Sequence, residues 1–131
     1  MAQHFTVHPD NPQPRLLKQA AALLCRDLRE LASYARVDNT QFRLLKLGTP
    51  GPFTFILEAS KEVPRRVSHP QRKTIGLRVP EHPVVQGLIA LHSAPLLATT
   101  LILPDDDTPL NEPAAIRERL EHDIAAVIDA G

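Results

Sequence analysis

Prolines are the feature that most constrains how this chain can fold. The 131 residues include thirteen prolines and only five glycines. Because proline lacks a backbone N–H and fixes φ, each proline cluster interrupts regular structure. The sequence therefore predicts short helices and strands in the apolar segments between the clusters, which lie at positions 9–14, 50–52, 64–70, 80–83, 95 and 104–113.

Two helical patterns come first along the chain. Segment 15–35, RLLKQAAALLCRDLRELASYA, carries one apolar stripe at helical spacing and predicts a single helix. A second helix is predicted to begin after an N-cap at Asp38 or Asn39 and to end at Gly48. Its spacing predicts that three side chains face inward: Phe42, Leu44 and Leu45.

Strand patterns alternate with helices in the rest of the chain. Alternating residues predict strands at 53–57 and 74–79, and the apolar segment 95–104 predicts a strand central in its sheet. The remaining predictions are a short buried helix starting at Pro83, a surface helix over 113–123 and a terminal strand over 124–131. This order favours an α/β fold, in layers of the α+β type around a mixed sheet, formed as one domain over 1–131.

Composition excludes several functional classes. Formal net charge is zero, which argues against a nucleic-acid footprint over the whole protein and leaves only a local patch. Cys25 is the single cysteine, and its place on an apolar stripe indicates a core residue rather than a nucleophile. No metal-binding motif appears. The start of the sequence resembles no secretory signal, and no segment has membrane-spanning length, so we expect a cytoplasmic protein without membrane contact.

A basic loop is the densest local charge. Seven basic side chains lie within eighteen positions, opposed only by Glu58 and Glu62. Such a patch can neutralise the phosphates of a nucleotide or of an RNA backbone, but it can equally be a solvated loop. The basic residues are Lys61, Arg65, Arg66, His69, Arg72, Lys73 and Arg78.

Arg78 has two interpretations of its own. In TIGLRVP, alternation places Thr74, Gly76 and Arg78 on one face of a strand, opposite an apolar face. A hydroxyl, a glycine and a guanidinium on one face can hold an anion, because arginine binds carboxylate or phosphate with two parallel hydrogen bonds. The alternative is an ordinary solvent-facing strand.

Five consecutive segments, HPDNPQPR, VDNTQFRLLK, TPGPFTFILEASKEVPRR, RKTIGLRVPEHP and LLATTLILP, together resemble the YrdC-like domain family, and its YciO branch in particular. The resemblance covers nearly the whole chain. It implies a mixed twisted sheet flanked by helices. It also implies a relation to threonylcarbamoyl-AMP synthases, which join L-threonine, bicarbonate and ATP with its magnesium ion for tRNA adenosine modification. Such domains are also described as binding double-stranded RNA.

The resemblance assigns roles to individual residues. Arg78 falls at the arginine that contacts threonine, and Thr74 at a position on the nucleotide side. Thr100 matches the serine of an S-x-N element, with Ala98 two residues earlier on the same strand. Thr54 matches the threonine of a P-G-P-x-T turn that shapes the site for the nucleotide. No residue is assigned a covalent catalytic role.

Departures from the family pattern predict an incomplete domain. Ile102 replaces the asparagine of S-x-N, and no P-T-[DE]-[ST] strand or K-x-R element precedes CRDL. We therefore place a missing segment between Leu24 and Cys25, with unpaired neighbours where a central strand is lost, and we expect the closing strands after Gly131 to be missing too. A natural deletion, a degraded gene copy and residues omitted from the sequence all remain open.

Three functions follow as alternatives. The first is nucleotide or RNA binding with impaired synthase activity. The second is an RNA-binding module without catalysis, and the third is a non-functional or purely interacting fragment. The residues expected to bind duplex RNA or tRNA are Lys61, Arg65, Arg66, Arg72 and Lys73.

Overall fold

A computed structural model of the protein describes residues 4–7, 22–64, 68, 73–103 and 105–130, with only the backbone for 4–7. The chain forms two compact units, one of Ala21–Ala98 and one of Met1–Ala20 with Thr99–Gly131. The elements in chain order are β1 His4–Val7, β2 Ala22–Leu24, α1 Leu28–Tyr34, α2 Asn39–Gly48, β3 Phe55–Glu58, β4 Thr74–Arg78, α3 Pro83–His92, β5 Leu96–Ala98, α4 Pro113–Leu120 and β6 Ala126–Asp129.

The Ala21–Ala98 unit is built on a four-stranded sheet in the order β3-β4-β2-β5. The central pair, β2 and β4, is parallel, and both outer pairings are antiparallel. In the register, Leu24 lies opposite both Arg78 on β4 and Leu96 on β5. The predictions of strands around 53–57 and 74–79 and of a helix starting at Pro83 are confirmed.

One face of this sheet, called here the core face, is covered by helices α1 and α2. Ile75 and Leu77 project from β4 onto this face and are only 2% and 0% exposed. They pack in one cluster with Leu23 of β2, Leu31 of α1 and Leu45 of α2. Burying such aliphatic side chains supplies most of the favourable free energy of folding.

Both helices start at an aspartate that caps free backbone donors. Asp27 accepts a hydrogen bond from the Glu30 amide at 2.9 Å, and α1 begins at the next residue. Asp38 and Gln41 form a reciprocal capping box at the start of α2. The inward prediction is confirmed for Leu45 but is wrong for Phe42 and Leu44, which are 36% and 61% exposed. Successive helical residues point about 100° apart, so the side of α2 that carries Leu45 is the one that packs in the core cluster.

The prediction of a single helix over 15–35 is wrong within the described residues. Ala22–Leu24 is a strand, and the helix begins only at Leu28. Alanine and leucine favour helix locally, but pairing with β4 and β5 on both sides outweighs that weak preference. The predicted loss of a segment between Leu24 and Cys25 stays a prediction, whereas β2, which ends at Leu24, is paired on both sides in the described sheet.

The strand predicted over 95–104 is shorter and lies elsewhere than expected. Only Leu96–Ala98 is a strand, and it lies at the edge of the described sheet rather than at its centre. Its partner β2 has three residues, so the antiparallel ladder ends where Ala98 meets Ala22. An apolar run on both faces therefore did not indicate a central strand.

The second unit contains a two-stranded antiparallel sheet of β1 and β6, with His4 opposite Asp129. The sequence indicated β6 and α4, which are confirmed, but not β1. On α4, Ile116 and Leu120 are buried against Leu103, as their helical spacing indicated.

Candidate functional site

The opposite face of the sheet in the Ala21–Ala98 unit carries the predicted ligand residues and is called here the Arg78 face. Thr74, Gly76 and Arg78 alternate along β4 with the buried residues of the core face. Ala22 lies opposite both Gly76 and Ala98, so these three residues form one row across the sheet. The structure thus brings Thr74, Arg78 and Ala98 to one face.

Small residues form the floor of the Arg78 face. A Cβ added at Gly76 would stand 3.3 Å from the Ala22 Cβ, 3.4 Å from the Thr54 Cγ2 and 3.5 Å from the Ile56 Cδ1. Thr54 therefore reaches the same face, beside Gly76. Ala22 and Ile56 belong to this floor as well, and the sequence did not indicate them. Ala22 was assigned to a helix, and an isolated alanine carries no signal of its own.

Arg78 lies at the end of β4 and is half buried. Its Nε atom is buried and has no hydrogen-bond partner among the described residues. A buried charged donor without a partner costs on the order of 1–3 kcal/mol, so such atoms call for an explanation. The strand end itself is firmly held, because the Cys25 amide donates to the Arg78 carbonyl at 2.7 Å.

The other end of β4 is electrostatically different. Thr74 pairs with Glu58 on β3, and the Glu58 carboxylate contacts the Arg36 guanidinium at 3.4 Å. A carboxylate beside Thr74 disfavours an anion there, although its ion pair with Arg36 is exposed and weak. The Arg78 end is therefore the better place for a carboxylate or phosphate.

Thr100 belongs to the second unit, where it is exposed and its carbonyl accepts a hydrogen bond from the Ile102 amide at 3.0 Å. Its predicted contact with the same ligand as Arg78 stays a prediction.

Cys25 is fully buried in the core cluster, as its position in the sequence indicated. Burial raises the pKa of its thiol to about 12, with Glu30 and Asp27 adding to the effect. A thiol that stays protonated is a poor nucleophile, so no covalent chemistry is assigned to Cys25.

The basic loop is described only in part. Lys61 and Lys73 are exposed, and the Ala59 amide donates to the Lys73 carbonyl at 2.9 Å, which joins the two ends of the loop. Arg65, Arg66 and Arg72 lie outside the described residues. Their predicted role in an RNA-binding surface therefore stays a prediction.

In the described ranges, no group of three or more histidine, cysteine, aspartate or glutamate side chains could hold a metal ion. The helices of those ranges include none that is long and apolar enough to cross a membrane.

A profile of the family described as Sua5_yciO_yrdC, telomere recombination, matches residues 14–131. The uncharacterized protein YciO of Escherichia coli K12 is 37% identical over 175 residues, covering 100% of this chain and 85% of YciO. Because the chain supplies 131 residues to that 175-residue alignment, 44 YciO residues within the aligned region have no counterpart. The threonylcarbamoyl-AMP synthase of Halorhodospira halophila is 30% identical over 112 residues, covering 85% of this chain and 58% of that protein.

Two solved structures share the fold. The crystal structure of E. coli YciO superposes with a TM-score of 0.74 at 48% identity, over 79% of this chain and 50% of that one. A variant of P. abyssi Sua5 gives a TM-score of 0.73 at 26% identity, over 85% of this chain and 34% of that one. The chain thus spans half of the YciO structure and about a third of Sua5. The predicted fold class and the resemblance to the YciO branch are confirmed.

Proposed function

Because this chain belongs to the Sua5_yciO_yrdC family, we propose that its Arg78 face binds L-threonine and ATP, while synthesis of threonylcarbamoyl-AMP is impaired. The buried, unpartnered Nε of Arg78 is the observation that carries the binding proposal. The impairment proposal depends on the YciO residues that have no counterpart here. Sequence similarity to named threonylcarbamoyl-AMP synthases supports the choice of ligands.

The threonine carboxylate is the group that suits Arg78. A guanidinium offers Nε–H and Nη–H as two parallel donors to a carboxylate, and a ligand bound this way satisfies the orphaned Nε. Half-burial of Arg78 reduces competition from water, so the same contact is stronger than on an open surface. The floor of Gly76 and Ala22 leaves room for backbone-sized ligand groups close to the sheet.

ATP is the second proposed ligand, with the hydroxyls of Thr54 and Thr74 on the same face as hydrogen-bonding groups. The reaction joins a carbamate of threonine to the α-phosphate and releases pyrophosphate. It calls mainly for orientation and for neutralisation of phosphate charge. The described residues contain no carboxylate cluster for magnesium, so the ion is expected to arrive bound to the phosphates of ATP.

Impaired synthesis follows from the groups that the chain lacks. The family pattern places a basic pair and a threonine-bearing strand before CRDL, and neither motif is present in this sequence. Without the basic pair, fewer fixed hydrogen-bond donors stabilise the negative charge that develops on the phosphates in the transition state. Removing one such donor in an active site commonly slows turnover by a factor of about 10²–10³.

Incubating the purified chain with ATP, L-threonine and bicarbonate, and measuring pyrophosphate, tests the proposal. The H. halophila synthase serves as the positive control. We expect threonine binding by calorimetry but pyrophosphate release slower than in the control by a factor of about 10² or more. Release at the rate of the control would contradict impairment, and absence of threonine binding would contradict the ligand assignment.

Binding of duplex RNA or tRNA by the basic loop is the second candidate function. The closed base of the loop favours it, because the Ala59–Lys73 hydrogen bond keeps the exposed Lys61 and Lys73 on one loop. Exposed cations on one loop can follow a phosphate backbone without reading sequence.

Salt-dependent tRNA binding tests this second candidate. Replacing Arg65, Arg66 and Arg72 with alanine is expected to weaken binding and to reduce the slope of log K against log salt by about 2–3. The matched control replaces three exposed arginines elsewhere: Arg29, Arg43 and Arg117. Binding that ignores salt, or equal losses in both triple variants, would eliminate an RNA site on the loop.

A further inference from the structure

The parallel pair of strands β2 and β4 reaches a point beyond Arg78 where the two backbones cannot bond to each other. Leu24 lies opposite Arg78 in the register, and two residues further along each chain come Arg26 and Pro80. Pro80 has no backbone N–H, and the Arg26 and Pro80 carbonyls are both hydrogen-bond acceptors. Joining the two chains at this level therefore requires a donor from another part of the structure.

Gln86 of α3 supplies this donor. Its Nε2 donates to the Pro80 carbonyl at 2.6 Å and to the Arg26 carbonyl at 3.2 Å. A side-chain amide carries two N–H donors on one nitrogen, so both are used between the two chains. The first turn of α3 holds Gln86 in turn, because the Gln86 amide donates to the His82 carbonyl at 3.0 Å. One side chain thus ties together the ends of β2 and β4.

Three successive carbonyls, those of residues 78–80, are each held by a different part of the chain. The Arg78 and Val79 carbonyls accept hydrogen bonds from backbone amides at 2.7 Å and 2.9 Å. The Pro80 carbonyl accepts from Gln86, which is the one side chain among these three donors. The backbone that carries Arg78 is therefore fixed at the end of the strand, and Gln86 is the support that a substitution can remove.

A fixed backbone matters for Arg78 because a guanidinium binds a carboxylate through two parallel contacts only in one orientation. Support of the backbone reduces the number of side-chain positions that are lost on binding, which lowers the entropic cost. We infer that Gln86 is a positioning residue, which keeps the Arg78 guanidinium where its buried Nε meets the ligand. This inference rests on the binding function proposed for the Arg78 face.

The NMR signal of the Arg78 Nε–H group tests the positioning role without any ligand. In the parent chain the buried Nε should give one sharp signal that exchanges slowly with water, and Arg78→Met assigns the signal by removing it. Gln86→Met keeps an unbranched side chain of similar length but removes both donors, so the signal should broaden and exchange faster. An unchanged signal in Gln86→Met would overturn the inference.

Calorimetric titration with L-threonine tests the consequence for binding. If the guanidinium occupies the binding position about a tenth of the time, the apparent affinity falls about tenfold, which is the loss expected in Gln86→Met. Gln86→Asn keeps the two donors on a side chain that is shorter by one methylene, and it should lose less. The matched control is Gln41→Met on α2, which removes a hydrogen bond of the capping box and should bind like the parent chain.

These measurements separate the role of Gln86 from the function of the Arg78 face. Urea denaturation of each variant establishes that folded chains are being compared. Absence of threonine binding by the parent chain would reject the proposed function, and the Arg78 Nε signal would then decide the role of Gln86 alone. If the parent chain binds, an unchanged affinity in Gln86→Met or an equal loss in Gln41→Met would overturn the inference.

Discussion

The two faces of the four-stranded sheet carry neighbouring residues of β4 with opposite roles. On the core face, Leu77 is fully buried among aliphatic side chains from β2, α1 and α2. On the Arg78 face, the next residue leaves a buried Nε without a partner, and Ile56 across from Gly76 is 67% exposed. The core face is tightly packed, whereas the Arg78 face retains a buried polar atom without a hydrogen-bond partner. This difference is what a binding surface on a stable support requires.

Leu77→Ala should give the largest effect, because it removes fully buried atoms from the core face. We expect the free energy of unfolding to fall by about 2–5 kcal/mol, measured by urea denaturation. Ile56→Ala on the Arg78 face is the matched control and should change it by about 0.5 kcal/mol or less. Similar losses in the two variants would mean that the faces do not differ in packing.

Gly76→Val should have an intermediate effect, because the Ala22 Cβ lies only 3.3 Å from the point where a Cβ would stand. Overpacking of this kind costs about 1–3 kcal/mol of stability, and the added methyl groups should also block threonine binding. Gly87 has nothing within 4 Å of its added Cβ, so Gly87→Val serves as the control and should change stability by about 0.5 kcal/mol or less. Unchanged threonine binding in Gly76→Val would show that the floor does not contact the ligand.

The burial of Cys25 on the core face predicts that the free energy of unfolding depends on pH. The pKa of its thiol rises from 9.0 to about 12 on burial, so above pH 9 the unfolded chain loses this proton while the folded chain keeps it. The stabilisation is complete below pH 9 and decreases as pH rises towards 12, by up to about 1.4 kcal/mol per pH unit.

Cys25→Ala lacks this titration and provides the control. The difference in unfolding free energy between the parent chain and the variant should shrink between pH 9 and pH 11. A difference that stays constant over this range would show that the thiol is not protected by burial.

Arg78→Met should have the smallest effect on the free energy of unfolding. Methionine keeps the unbranched shape but removes the unsatisfied donor, so unfolding free energy should stay equal or rise by about 1 kcal/mol. Thermal and urea unfolding without ligand measure this. A loss of about 2 kcal/mol or more would show that Arg78 stabilises the fold rather than binding a ligand.

Local patterns predicted the parts of the fold that depend on local physics. Alternation identified both faces of β4, and the Asp38 cap and Pro83 marked helix starts, because each signal acts within a few residues. Ala22–Leu24 was assigned to a helix because its strand pairs only with residues far along the chain. Strand pairing between residues far apart in the sequence produces no local sequence pattern.

The contrast between local and long-range signals also applies to the candidate site residues. Arg78 was a candidate from its strand position, but alternation alone left a solvent-facing residue open, and the buried Nε without a partner is the observation that supports a ligand role. Gln86 joins the loop after β4 to the residue Arg26 near the end of β2, and the sequence did not indicate this contact. A polar glutamine in the apolar helix PVVQGLIALH was the single available hint.

Calorimetric titration of L-threonine into the parent chain, Arg78→Lys and Arg78→Met tests the central claim most directly. The parent chain should bind, Arg78→Lys should bind more weakly because lysine cannot make the two parallel contacts, and Arg78→Met should lose at least about tenfold in affinity. Equal affinity in all three, or no binding by the parent chain, would contradict the assignment of the Arg78 face as the binding face.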